Sequence, residues 1–182
     1  MITGINFAMI RAVVLAGCLA LLVPLQSGRS ESTSTAAVGS SSSGRIKALT
    51  QEEIDGYLNG YGMGLADAAE LNHYPGPKHV LEYTQELQLT NDQIAATKKI
   101  FNDQQRRALE LGEQIVKEEQ RLDRLCASAK ITESELEKLV KKIAQLRGDL
   151  RFAHMRAHLQ MKAVLSSEQV KKYDELQGYA GK

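Results

Sequence analysis

Two stretches of this chain carry apolar residues at alternating spacings of three and four. The first places them at 94, 97, 101, 104, 108, 111, 115, 122 and 126, with Thr97 and Gln104 as polar interruptions. The second runs through Leu136, Leu139, Ile143, Leu146, Leu150, Ala153, Ala157, Met161 and Val164. That period belongs to an α-helix with one buried face, and roughly 35 residues of it make a helix of about 50 Å. Only Ala129 to Thr132 separates the two stretches, so the helices must run antiparallel. The expected fold is all-α: a long antiparallel helical hairpin with shorter flanking helices. Three prolines and no tryptophan, with little alternating β-branched pattern, agree with it.

Helix starts are marked by capping boxes, in which a hydroxyl residue and a Glu or Gln three positions on satisfy each other's backbone amides. Four fit the template: Thr50/Glu53, Thr90/Gln93, Thr132/Glu135 and Ser166/Gln169. Two of them lie in a repeated pentad, Leu-Thr-Asn-Asp-Gln from Leu89 and Leu-Ser-Ser-Glu-Gln from Leu165, at the open end of the hairpin. The second pentad starts a last helix over about Ser167 to Gln177. Ahead of the hairpin, one helix is expected from Thr50 to about Asn72, and a short one from Pro77 to about Leu87 after the break at Tyr74-Pro75-Gly76-Pro77. Gly56, Gly60 and Gly64 repeat along the first of these, at a cost of about 1 kcal/mol each relative to alanine. Glu52, Asp55 and Asp67 rule out a membrane-buried glycine face. Close packing against another helix, or a helix only partly formed, remain as two readings.

The first 27 residues read as a secretory signal or N-terminal anchor. Ala12 to Leu25 is an uncharged apolar run preceded by Arg11, too short for a confident membrane span. Met9 is the better start, because Met1 to Ala8 bring no positive side chain. Leu15-Ala16-Gly17-Cys18 spells a lipobox, although Leu19 to Leu25 behind it are still apolar. Residues 28–48, rich in Ser, form a tether with little to bury, and 49–179 form the helical domain. Export to the periplasm follows. Without Cys18, Cys126 is the sole cysteine, so no internal disulfide is expected; it continues the first apolar stripe and is expected as a small core residue. The net charge of +1 removes the simplest case for nucleic acid as a partner.

A hydrophobic signal, a polar tether, a helical hairpin and Leu-Thr/Ser-x-x-Gln pentads at both of its ends resemble the LTXXQ family of periplasmic proteins. That family takes in Spy-like and CpxP-like chaperones, zinc-resistance-associated proteins and nickel/cobalt sensor subunits. The resemblance spans about Leu81 to Tyr179. It implies a small helical protein, usually a homodimer, that binds rather than catalyses, in envelope stress or heavy-metal resistance. Its partners would be unfolded periplasmic clients or an inner-membrane sensor or anti-sigma protein. The chaperone members hold clients on a surface both basic and apolar, from which a near-neutral chain departs.

Metal ligation has specific residues behind it. His154 and His158 stand at i and i+4 on one helical face with Met161 three residues on, a spacing that lets both imidazoles reach one ion. Thioether with imidazole leans toward soft or borderline metals: Cu(I), then Zn, Ni or Co. His73 and His79 flank the Pro75-Gly76-Pro77 turn, with Glu70, Glu82 and Met63 near in sequence. A fold-back of the short helix over the open end would bring His79 toward His154 and His158. The other reading is structural, since the two histidines lie about 40° and 80° from the centre of the apolar stripe, where imidazoles bonded to water or a carbonyl also sit. The resembling nickel/cobalt sensors carry His-x-x-x-Met just before the second pentad; here Met161 matches the methionine, but Ala157 stands in the histidine's place.

No catalytic pattern is present. His154-x-x-x-His158 lacks the glutamate of a zincin motif, and there is neither a Gly-rich phosphate loop nor a nucleophile elbow. The chain is expected to be no enzyme.

Overall fold

The computed structural model describes residues 46–181. The signal or anchor, the lipobox at Cys18 and nearly all of the tether lie outside the described residues. Those described form α-helices α1 (Gln51–Asn59), α2 (Asp67–Glu70), α3 (Pro77–Glu82), α4 (Asn91–Ala127), α5 (Glu133–Val164) and α6 (Ser167–Gln177), and no strand. None of these helices is long and apolar enough to cross a membrane.

The hairpin is α4 against α5, as the two stripes require. All four capping boxes close, at Thr50, Thr90, Thr132 and Ser166. Two clusters hold the bundle. Toward the middle of the hairpin, Ile46, Leu49 and Tyr57 pack on Ala108, Leu111, Ile115, Val116, Leu146 and Leu150. At the open end, Val80, Leu87, Met161, Leu165 and Tyr173 form the second. α1 lies directly on α4 at Gly112, where any Cβ would run into the Tyr57 carbonyl. A glycine is therefore required in mid-helix despite its propensity cost.

Three expectations need correction. The helix from Thr50 does not reach Asn72: it ends at Asn59, with Gly60 in the left-handed region at φ 64° and Gly64 likewise at 72°. The amides of Gly60 and Tyr61 bond the carbonyls of Tyr57 and Gly56, as in a left-handed helix cap. The glycine repeat therefore includes a stop signal, and the partly formed reading holds. The short helix also ends early, at Glu82, with turns carrying the chain on to the first pentad. Cys126 is exposed, not in the core. It lies near the hairpin tip, beyond the cover of α1, where Leu136 is also 40% exposed.

Candidate functional site

At the open end, the segment between α2 and α3 folds over α5 and α6. His73, at φ 66°, occupies the left-handed region that histidine tolerates better than most residues. Its Nδ1 lies 2.8 Å from Asp174 Oδ2 on α6. From α3, His79 Nδ1 lies 3.1 Å from Glu70 Oε1 on α2. The Tyr173 hydroxyl donates to the same Glu70 oxygen at 2.8 Å and accepts from the Gly76 amide at 3.2 Å. Glu70 is thus held below the usual carboxylate range, first by the His79 hydrogen bond, and His79 is raised by the same bond. Burial first of all pushes the Tyr173 hydroxyl far up, so it stays a protonated donor.

His158 reaches this cluster from α5. Its Nδ1 lies 2.8 Å from the Tyr74 carbonyl, which can only accept, so Nδ1 carries a proton, and in the neutral ring the lone pair falls to Nε2. Gly76 makes the approach possible. A Cβ there would stand 3.0 Å from His158 Cε1, 3.4 Å from Nε2 and 3.7 Å from Glu70 Oε1. The bare nitrogen of His158 and the carboxylate that holds His79 therefore border one spot.

His154 lies one turn earlier on α5 and is buried. Its Nδ1 is 2.7 Å from the Gln104 amide nitrogen on α4. Its Nε2 is buried with no partner, as is Gln104 Oε1. Burial first, then the nearby His158 imidazole, pushes His154 down to about 4, so it is neutral at pH 7. Neither histidine is at an exposed stripe edge: Tyr74 and Gly76 lie against His158, and Gln104 on α4 lies against His154. Met161 is fully buried among Val80, Leu165 and Tyr173.

The structure therefore sets His79 on the Glu70 carboxylate and His158 on the Tyr74 carbonyl, with Gly76 beside both His158 and Glu70, His154 one turn behind His158 and Met161 in the apolar core. Of the other residues near in sequence, Glu82 lies toward Lys78 at 3.9 Å, and Met63 covers Gly56 on α1. Gln104, Tyr173 and Asp174 escaped the sequence reading. Tyr173 had a faint signal, falling one helical turn after the box-closing Gln169 and so on the same face. Among the described residues, no group of three or more His, Cys, Asp or Glu is already arranged to hold a metal ion.

A helical hairpin whose open end gathers imidazoles and carboxylates in a hydrogen-bonded cluster makes this a small all-α protein. The model of the heavy-metal resistance family matches residues 68–172, more than half of the chain, and the chain belongs to that family. No curated protein and no solved structure gives a match.

Proposed function

We propose that the chain serves heavy-metal resistance by binding a metal ion where His158, His79 and Glu70 converge. One observation carries this reading. His158 and His79 each commit Nδ1 to an oxygen acceptor, the Tyr74 carbonyl and the Glu70 carboxylate. Metal-ligating histidines are oriented in that way by their second nitrogen, which leaves Nε2 bare for the ion. His154, also neutral, is a poorer ligand as it stands: its Nδ1 accepts from the Gln104 amide, so its unpartnered, buried Nε2 carries the proton. Met161 is the weakest member of the set, since its thioether is enclosed by apolar side chains. Imidazole with carboxylate suits Zn, Ni, Co or Cu(II) better than Cu(I). Side-chain rotation, or a ligand from a second chain, would complete the shell.

An ion held by His79 and His158 would tie α3 to α5 across the Tyr74–Pro77 segment, a linkage that a sensor can transmit. The reading thus extends to a periplasmic protein, a homodimer, and an inner-membrane sensor or anti-sigma partner. Titrating the protein with Zn or Ni while following histidine ring resonances tests it: His158 and His79 should shift with ion added, and His73 should not. Absence of any shift at His158 and His79 would remove the proposal. A chaperone role toward unfolded periplasmic clients is the second reading, favoured by the exposed Leu136 and Val140 near the hairpin tip.

A further inference from the structure

On the outer side of α5, away from the histidine cluster, a groove of about 570 Å³ runs between that helix and the α2 segment. Ala68, Ala69 and Tyr74 form one wall, and Phe152, Met155 and Leu159 the other. The last three recur at spacings of three and four on α5, yet Phe152 is 62% and Leu159 60% exposed. Large apolar side chains lining a concavity in this way mark a binding surface more than a packing accident.

Two cations border it. The Arg156 guanidinium lies 5.8 Å from the centroid of the Phe152 ring, and Lys162 Nζ lies 4.0 Å from that of Tyr74. Neither forms an ion pair with a carboxylate among the described residues, although Lys141 and Arg147 on the same helix do. The aromatic faces hold these charges beside the groove without neutralising them. The groove thus offers apolar walls and unneutralised positive charge at its rim.

We propose that this groove binds a single anionic amphiphile, a long-chain carboxylate whose hydrocarbon lies along Phe152, Met155 and Leu159 while its head group meets Arg156 or Lys162. Charge complementarity selects this occupant, because an uncharged hydrocarbon would leave the rim cations unused. A volume of several hundred Å³ is that of a small-molecule site. The proposal does not depend on metal binding, since none of these side chains belongs to the histidine cluster.

Calorimetric titration of the protein with hexadecanoate below its aggregation threshold, beside hexadecanol as the uncharged control, tests the assignment. Saturable one-to-one binding of the carboxylate is expected, and much weaker binding of the alcohol. Leu159→Asp should lower carboxylate affinity by roughly tenfold or more, since it sets a charge among the apolar walls. The double variant Arg156→Gln/Lys162→Gln should erase the preference for carboxylate over alcohol. None of the three positions belongs to the buried core, and circular dichroism of each variant checks that it folds. No saturable binding, or binding unchanged in Leu159→Asp, would overturn the proposal. So would sedimentation as a dimer that Leu159→Asp dissociates, which assigns the groove to a second copy, or capture of an unfolded polypeptide there in place of the carboxylate.

Discussion

Gln93 and Gln169 form a reciprocal amide pair: Gln93 Nε2 donates to Gln169 Oε1 at 2.8 Å, and Gln169 Nε2 donates to Gln93 Oε1 at 3.0 Å. Each glutamine also closes its own capping box, its oxygen accepting from the Thr90 or Ser166 amide. The second amide hydrogen of Gln93 reaches the Val164 carbonyl, and that of Gln169 the Leu87 carbonyl. The boxes at Thr50 and Thr132 close with glutamate, which only accepts, and serve their own helix alone. Glutamine in the two pentads therefore caps two helices and joins them, locking the end of the hairpin that carries the histidine cluster.

Gln93→Glu tests that lock. A carboxylate keeps the box but loses both donated bonds and turns negative charge toward the Val164 carbonyl. Destabilisation of about 2 to 3 kcal/mol is expected at pH 7 in chemical denaturation. Thr132's partner Glu135, changed to Gln, should shift stability by only a few tenths, as an exposed box with no second helix to join.

The two mid-helix glycines of the hairpin should respond with opposite signs. Gly112→Ala drives a methyl group into the Tyr57 carbonyl, and Gly148→Ala meets nothing within 4 Å. The first should cost about 2 kcal/mol or more by separating α1 from α4, whereas the second should stabilise by up to about 1 kcal/mol through helix propensity. Thermal melts of both variants check the contrast.

Those glycines also show what the sequence could and could not reveal. The hairpin, its caps and its turn were legible because spacing and box chemistry act within a few residues. The end of α1 was not, since glycines at 56, 60 and 64 suit either a packed helix or a stopped one; Gln105 on α4, whose amide bonds the Asn59 carbonyl at 2.7 Å, helps fix the stop. Cys126 kept the stripe's period past the reach of α1, and periodicity says nothing about what covers a face. The stripe steps from 115 to 122 over Glu119, which is buried and bonded to Arg147 at 2.8 Å. At the site, the histidine spacing was visible, but the Tyr74 carbonyl that fixes the proton of His158 is 84 residues away in sequence. Such a partner leaves no local pattern.

His154 should make the protein sensitive to acid. Its ordinary value of 6.5 falls to about 4 on folding, so the unfolded chain binds the extra proton between those limits. The stability this represents is present above pH 6.5 and is lost as pH falls toward 4. The loss should approach about 3 kcal/mol. Denaturant midpoints from pH 7 to 4, compared with His154→Gln, should show a steep fall only in the parent protein.

The Glu70–His79 pair should have an optimum. His79 is raised above 6.5, so its contribution is full below that value and fades as pH rises through the folded value. Glu70 is lowered below 4.5, so its contribution is present above 4.5 and fades in acid. The stability difference between the parent protein and Glu70→Gln should therefore be largest between about pH 4.5 and 6.5 and shrink on either side. A difference that is flat with pH would mean that the two groups are not coupled.

Isothermal titration of the protein with Zn, Ni, Co and Cu at pH 7.5 tests metal binding at the open end of the hairpin most directly. One saturating ion per site is expected, weakened roughly tenfold or more by His158→Ala and by His79→Ala, and unchanged by His73→Ala. No saturable heat with any of the four ions, or binding that survives both substitutions, would contradict it.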